Sequence, residues 1–268
     1  MKKLLLGIIG FLLLDLYFNE AVIGFSNMYA QLAAILLFFP LAHYTAKIAG
    51  LGGLKGMGIK FHRGWKKNFL YSFLIGFLFW AILYSLRNYA GVIEVTGVKK
   101  PLDALMPFLE AFAGYLLGSL INDLIVRGYV FRLLKGRISI GWVFTISILI
   151  YALDDYWHEP FSASNFIFSC ILGLSLTYAF YKTGSIWADT GLHFGLNMAF
   201  ALLYGLSKKA GAGIFLIRET GKSNGIAEML PYFIPFVMFL FIIVVIRYYT
   251  KADSSGEVSI SSNETKSF

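Results

Sequence analysis

Charge is scarce in this chain. Asp, Glu, Lys and Arg make up only 14% of its 268 residues, against about 25% in an ordinary soluble domain. With 58% apolar and 18% aromatic residues and a mean hydropathy of +0.70, such a chain is solvated largely by lipid. The same figures exclude wholesale disorder and a coiled coil. Cysteine is almost absent. Cys170 stands alone, which excludes an intramolecular disulfide framework, and it reads as a small apolar residue in an apolar run. Acidic residues are the rarer charged class, and the net charge is +8. In a membrane protein that excess is what the positive-inside rule produces, so no nucleic-acid partner is required.

Long apolar runs are abundant. A hydrocarbon core of about 30 Å needs about 20 helical residues. Eight segments come close to that length: Leu4–Phe25, Tyr29–Ala49, Phe69–Leu86, Leu105–Phe131, Ile140–Leu153, Phe161–Tyr181, Ile186–Leu206 and Leu230–Tyr249. They predict an all-α, polytopic membrane helix bundle. The fifth is short and must tilt or run past Asp155. The first follows Met1-Lys2-Lys3 without an A-x-A-like cleavage site, so it reads as a retained helix and not a signal peptide. With the N-terminus inside, 15 Lys and Arg fall on the inner side and 7 on the outer, Arg127 lying within a helix. That bias predicts cytoplasmic termini and a plasma-membrane location. The chain divides into a transmembrane domain, residues 1–250 with its motif core at 105–206, and a Ser-rich tail, 251–268, expected to be disordered. The Gly-rich loop from Gly50 to Gly58 matches no phosphate-binding pattern and reads as a flexible basic loop facing lipid headgroups.

In this setting each ionisable group within a span needs a reason, because insertion costs about 3 kcal/mol. The fourth run carries Ser119, Asn122, Asp123 and Arg127. Asp123 and Arg127 are four apart and share a helical face; a purely structural ion pair would also explain them. Gly114, Gly118 and Asn122 form a small-residue stripe suited to close helix approach. The fifth run ends in Asp154, Asp155, His158 and Glu159. No second His follows to complete H-E-x-x-H, and Asp154, His158 and Glu159 read as a solvated helix end beside an interfacial Trp157. The seventh carries Asp189, His193 and Asn197 at i, i+4 and i+8, with Gly191 and Gly195 thinning the neighbouring face. Counted from the inner helix ends at 1.5 Å per residue, Asn122, Asp155 and His193 lie at about 20, 22 and 14 Å. They therefore share a level and outline a buried cavity.

This constellation resembles the CPBP intramembrane proteases, which include type II CAAX prenyl endopeptidases and the Abi bacteriocin-processing and self-immunity proteins. Asn122-Asp123-Leu124-Ile125-Val126-Arg127-Gly128 stands where the family has E-E-x-x-x-R, usually followed by G. Tyr151-Ala152-Leu153-Asp154-Asp155 stands at F-x-x-x-H, and His193-Phe194-Gly195-Leu196-Asn197 keeps H-x-x-x-N. The lead-in from Thr183 to Leu192 is also family-like. The resemblance implies an eight-helix fold and hydrolysis of a peptide bond in a membrane-associated protein or peptide, with no organic cofactor. It implies that the first-glutamate slot, here Asn122, activates water with help from the second-motif slot, here Asp155. His193 and Asn197 would stabilise the oxyanion. Asn cannot take up a proton at neutral pH, and a carboxylate does not replace a neutral imidazole. A single His in the retained motif also disfavours tight zinc binding. Two outcomes stay open. Asp155 or Asp123 takes over as base, or hydrolysis is lost and the fold serves as a membrane scaffold or immunity protein.

Overall fold

The structure is a computed structural model and describes residues 2–24, 27–157, 160–222 and 225–250. The tail, 251–268, and the pair His158 and Glu159 lie outside the described residues. The chain is an all-α membrane helix bundle. Six helices among the described residues are long and apolar enough to cross a membrane.

Helix α1 (Lys2–Leu16) runs on through a π-helical segment, Tyr17–Ile23. Helix α2 (Met28–Ile48) starts at Asn27, whose side chain accepts the Tyr29 and Ala30 amides at 3.0 Å, satisfying helix-start donors that otherwise lack partners. A short α3 (Gly53–Gly56) precedes α4 (Trp65–Tyr89). Helix α5 (Pro101–Asp123) continues through π-helical Leu124–Phe131 into α6 (Arg132–Leu134). Together these form one 34-residue rod, about 50 Å long at 1.5 Å per residue. It therefore reaches well past the hydrocarbon core. Helix α7 (Ile140–Asp154) ends in a short 3₁₀ turn, Asp155–Trp157. Helix α8 (Ala163–Thr183) is capped by Ser162 and ends at left-handed Gly184. Helix α9 (Ile186–Tyr204) is capped by Ser185, and α10 (Gly225–Tyr249) closes the described chain.

All eight expected spans are helices. Two fall outside the long apolar class: α7 is short, and α9 carries the polar residues and is buried along nearly its whole length. Strands β1 (Ile93–Val98) and β2 (Phe215–Glu219) add a small antiparallel sheet, with a register shift between Val95 and Gly97. Hydropathy does not mark such short, mixed segments. Aliphatic side chains such as Leu36, Leu78, Ile167 and Val244 point outward and are exposed, the arrangement of a lipid-facing belt.

The bundle has two main apolar clusters. One joins α1, α2 and the π-helical stretch Leu124–Phe131; the other joins α4, α8, α9 and α10. The polar side chains of α5 and α9 meet at the seam between them. Helix α9 is held against α4 by backbone contact: a Cβ on Gly195 would sit 2.2 Å from the Phe73 carbonyl oxygen, one on Gly191 2.4 Å from that of Phe69, and one on Gly76 2.2 Å from that of Leu192. Small residues allow this approach in lipid, where packing rather than water expulsion drives helix association. The stripe expected on α5 behaves differently. Gly114 lies against the Leu206 side chain, but nothing stands within 4 Å of a Cβ on Gly118, which borders a cavity instead.

The Gly-rich loop is not the open surface loop expected from its composition. Met57 is fully buried, Gly58 accepts the Ile186 amide at 3.2 Å, and the Trp187 indole donates to the Lys60 carbonyl at 2.8 Å. These bonds tie the loop to the start of α9.

Candidate active site

The site begins with a buried guanidinium. Arg127, Asp123 and Asp189 are each fully buried. Arg127 Nη1 donates to Asp123 Oδ1 at 3.0 Å, and its Nε lies 3.9 Å from Asp189 Oδ2. The backbone is π-helical from Leu124, and Arg127 Nη1 also approaches Asn122 Oδ1, five residues back, at 3.4 Å. Single π turns recur at functional sites because they re-aim side chains that an α-helix would spread apart. The Tyr151 ring lies 4.4 Å from the guanidinium carbon, a cation–π contact strengthened by the absence of water.

From this base the network reaches α9 and α7. His193 Nδ1 and Asp123 Oδ1 are 2.9 Å apart, which leaves Nε2 for a ligand. The His193 ring meets Tyr151 edge-on, with centroids 5.7 Å apart. Asn122 Nδ2 donates to Asp154 Oδ2 at 2.6 Å, and Asn19 Nδ2, from the π-helical end of α1, donates to Asp154 Oδ1 at 3.2 Å. Asn197 Nδ2 donates to Ser119 Oγ at 3.1 Å.

Ser119, Asn122, Tyr151, Asp154, His193 and Asn197 all line one cavity of about 490 Å³. Trp80, Tyr84, Tyr115, Phe168 and Phe200 complete a largely aromatic wall. A few polar groups converging in an apolar cavity of this size are the usual signature of a ligand site. Among the described residues no group of three or more His, Cys, Asp or Glu side chains is placed to hold a metal ion.

Residues 104–199 match the family model of type II CAAX prenyl endopeptidase, Rce1-like. Over that stretch the chain is similar to these intramembrane endopeptidases. The match covers a little over a third of the chain, from the start of α5 to most of α9. No curated protein and no solved structure matches the chain.

Within the matched stretch, Asn122, Asp123, Arg127, His193 and Asn197 come together in the structure. Asp155 begins the 3₁₀ turn after α7, and its side chain lies outside the described residues. Asp154, which the sequence places on a solvated helix end, lines the cavity. Tyr151 and Asp154 are three apart and share a face of α7, and that face turns inward. This spacing was the available signal for Asp154. Asp189 takes a different place from its helical neighbours: it sits behind the cavity with Arg127 and does not line it. Asp15 and Asn19 escaped the reading altogether. Both are buried and lie one turn apart on α1, outside the family match.

Proposed function

We propose that this CPBP-core protein is an intramembrane endopeptidase acting on membrane-associated proteins or peptides, with Asp154 in place of the missing base. The observation that carries this reading is the convergence of Asp154, His193 and Asn197 on one cavity. An ionised Asp154 accepts a proton from water as the water oxygen attacks the scissile carbonyl carbon. His193, steadied through Nδ1 by Asp123, and Asn197 with Ser119 face the carbonyl oxygen that becomes negative. In its imidazolium form His193 donates from Nε2. Asn122 holds the base in place and does not titrate. The family description makes a prenylated CAAX peptide the first substrate to test, and the charge bias argues for cytoplasmic termini in the plasma membrane.

The test is cleavage of a farnesylated, fluorescence-quenched CAAX peptide by the full chain in lipid nanodiscs. His193→Ala and Asn197→Ala are each expected to lower turnover about 100-fold or more, in line with loss of an oxyanion donor, while the protein still accumulates. Wild-type protein that cleaves nothing, or a His193→Ala variant as active as wild type, would overturn the hydrolase reading. It would favour a non-catalytic scaffold or self-immunity role, in which Asn122 with Asp154 and Asn197 with Ser119 are simply satisfied pairs.

A further inference from the structure

We propose that the cavity takes its substrate from the outer, non-cytoplasmic face of the membrane, so that the substrate class is a peptide segment displayed there by an exported or membrane-anchored protein, and not the tail of a cytoplasmic one. The substrate class rests on the hydrolase reading above; the side on which the cavity opens does not.

Contacts between helix ends sort them into two faces. On one face a Cβ on Gly50, just past α2, would lie 3.8 Å from the Lys3 side chain at the start of α1. On the same face Arg132 Nη2, in α6, donates to the Gly184 carbonyl at the end of α8, and the Ser72 and Tyr249 hydroxyls join the first part of α4 to the end of α10 at 3.0 Å. On the other face Asn19 meets Asp154 at the end of α7, the Tyr115 hydroxyl donates to the Gly205 carbonyl just past α9 at 3.1 Å, and β1 pairs with β2 beyond the ends of α4 and α9. Of the Lys and Arg residues in the loops and helix ends, 15 fall on the first face and 7 on the second. That bias argues for a cytoplasmic first face.

His193 lies about 10 Å from the start of α9 and about 16 Å from its end, at 1.5 Å per residue. Toward the first face the bundle is filled. Met57, Arg127, Tyr129, Phe131, Phe180 and Ile186 are each at most 1% exposed, and a Cβ on Gly128 would sit 2.6 Å from the Met57 carbonyl oxygen. Toward the second face the packing opens. Helix α7 has 15 residues and is about 22 Å long, short of a hydrocarbon core of about 30 Å. Beyond its end the cavity of the site continues to Ile23, to Asn165 in the first turn of α8 and to Lys208 just past α9. A second cavity of about 630 Å³ shares Trp80, Tyr84, Asn165 and Phe168 with the first and runs on to Arg87 and Glu228, at the second-face ends of α4 and α10. The path from His193 therefore leads out between α4, α8 and α10 on the face opposite the described N-terminal end. A peptide of about five extended residues spans the 16 Å, at about 3.3 Å per residue.

The experiment uses the full chain with Cys170→Ala, in sealed right-side-out and inside-out membrane vesicles, and a charged, membrane-impermeant methanethiosulfonate. Gly118 lines the cavity, and nothing stands within 4 Å of a Cβ there, so Gly118→Cys puts a thiol into it. That thiol is expected to react in right-side-out vesicles, with reaction lost in inside-out ones. Lys209→Cys, exposed just past α9, should behave in the same way, and Lys67→Cys, exposed at the start of α4, in the opposite way. If Gly118→Cys does not accumulate, Lys208→Cys reports the same mouth. Reaction of Gly118→Cys or Lys208→Cys from the same side as Lys67→Cys would overturn the proposal, and so would reaction of Lys67→Cys in right-side-out vesicles. The second readout is cleavage of the farnesylated, fluorescence-quenched peptide carrying a polyanionic tag that keeps it on one side. Right-side-out vesicles should cleave it and inside-out vesicles should not; the reverse would overturn the substrate class. If neither cleaves it while the thiols react as expected, the hydrolase reading fails and the outward mouth stands.

Discussion

Replacing Arg127 with leucine is expected to cost about 3–5 kcal/mol of stability, the usual loss when one partner of a buried ion pair is removed. Arg127, Asp123 and Asp189 have no exposed side-chain surface. Without the guanidinium, Asp123 keeps only His193 beside it and Asp189 loses the cation next to it, in a site closed to water. Tyr151 also loses the cation 4.4 Å from its ring, and His193 loses the arginine that fixes its Asp123 partner. Membrane-fraction yield should fall sharply, and detergent-solubilised protein should unfold at a clearly lower temperature. Lysine would not substitute well, since a point charge cannot serve Asp123, Asn122 and the Tyr151 face at once. Adding Asp189→Asn to Arg127→Leu should recover part of the loss by removing one stranded charge. An Arg127→Leu protein with wild-type thermal stability would mean that the buried cluster is not an ionic one.

The second large effect is steric. Gly195→Val is expected to destabilise the protein by about 1–3 kcal/mol, as overpacking in a close-packed interior does. Its Cβ would fall 2.2 Å from the Phe73 carbonyl oxygen and 2.9 Å from the Phe77 amide nitrogen. Both are backbone atoms and cannot swing aside, so α4 and α9 must separate. Gly195 lies between His193 and Asn197, so the same movement displaces both from the cavity, and cleavage should fall more than stability does. Gly118→Ala is the matched control. Nothing lies within 4 Å of its Cβ, so wild-type stability is expected, with any change confined to substrate handling. Thermal unfolding and peptide cleavage measured on both variants separate the packing glycine from the cavity glycine.

These two glycines show where sequence reasoning reaches its limit. Gly118 and Gly195 both sit in small-residue stripes on apolar helices. Only the position of the neighbouring helix distinguishes a backbone contact from a cavity wall. The same limit explains Asp154. Adjacent residues on a helix point about 100° apart. Whether Asp154 faces the cavity depends on how α7 is rotated and where it ends. Asn19 was missed for a related reason: a lone amide in the first apolar run shows its partner, Asp154, only once that run is laid beside the end of α7.

What the sequence determined by itself is local and periodic. Eight apolar runs set the helices, because lipid demands backbone bonds satisfied within each segment. Spacing of i, i+4 put Asp123 with Arg127 and His193 with Asn197, because a helix repeats every 3.6 residues. The retained His193 motif and the Arg127 region carried the family resemblance. The tertiary structure decided everything that depends on contact between distant segments: Asp154 inside the cavity, Asp189 behind it, the folded Gly-rich loop and the amide of Asn19 against Asp154. Such contacts depend on helix rotation, crossing and depth, and neither hydropathy nor spacing encodes these without the neighbouring helix in place.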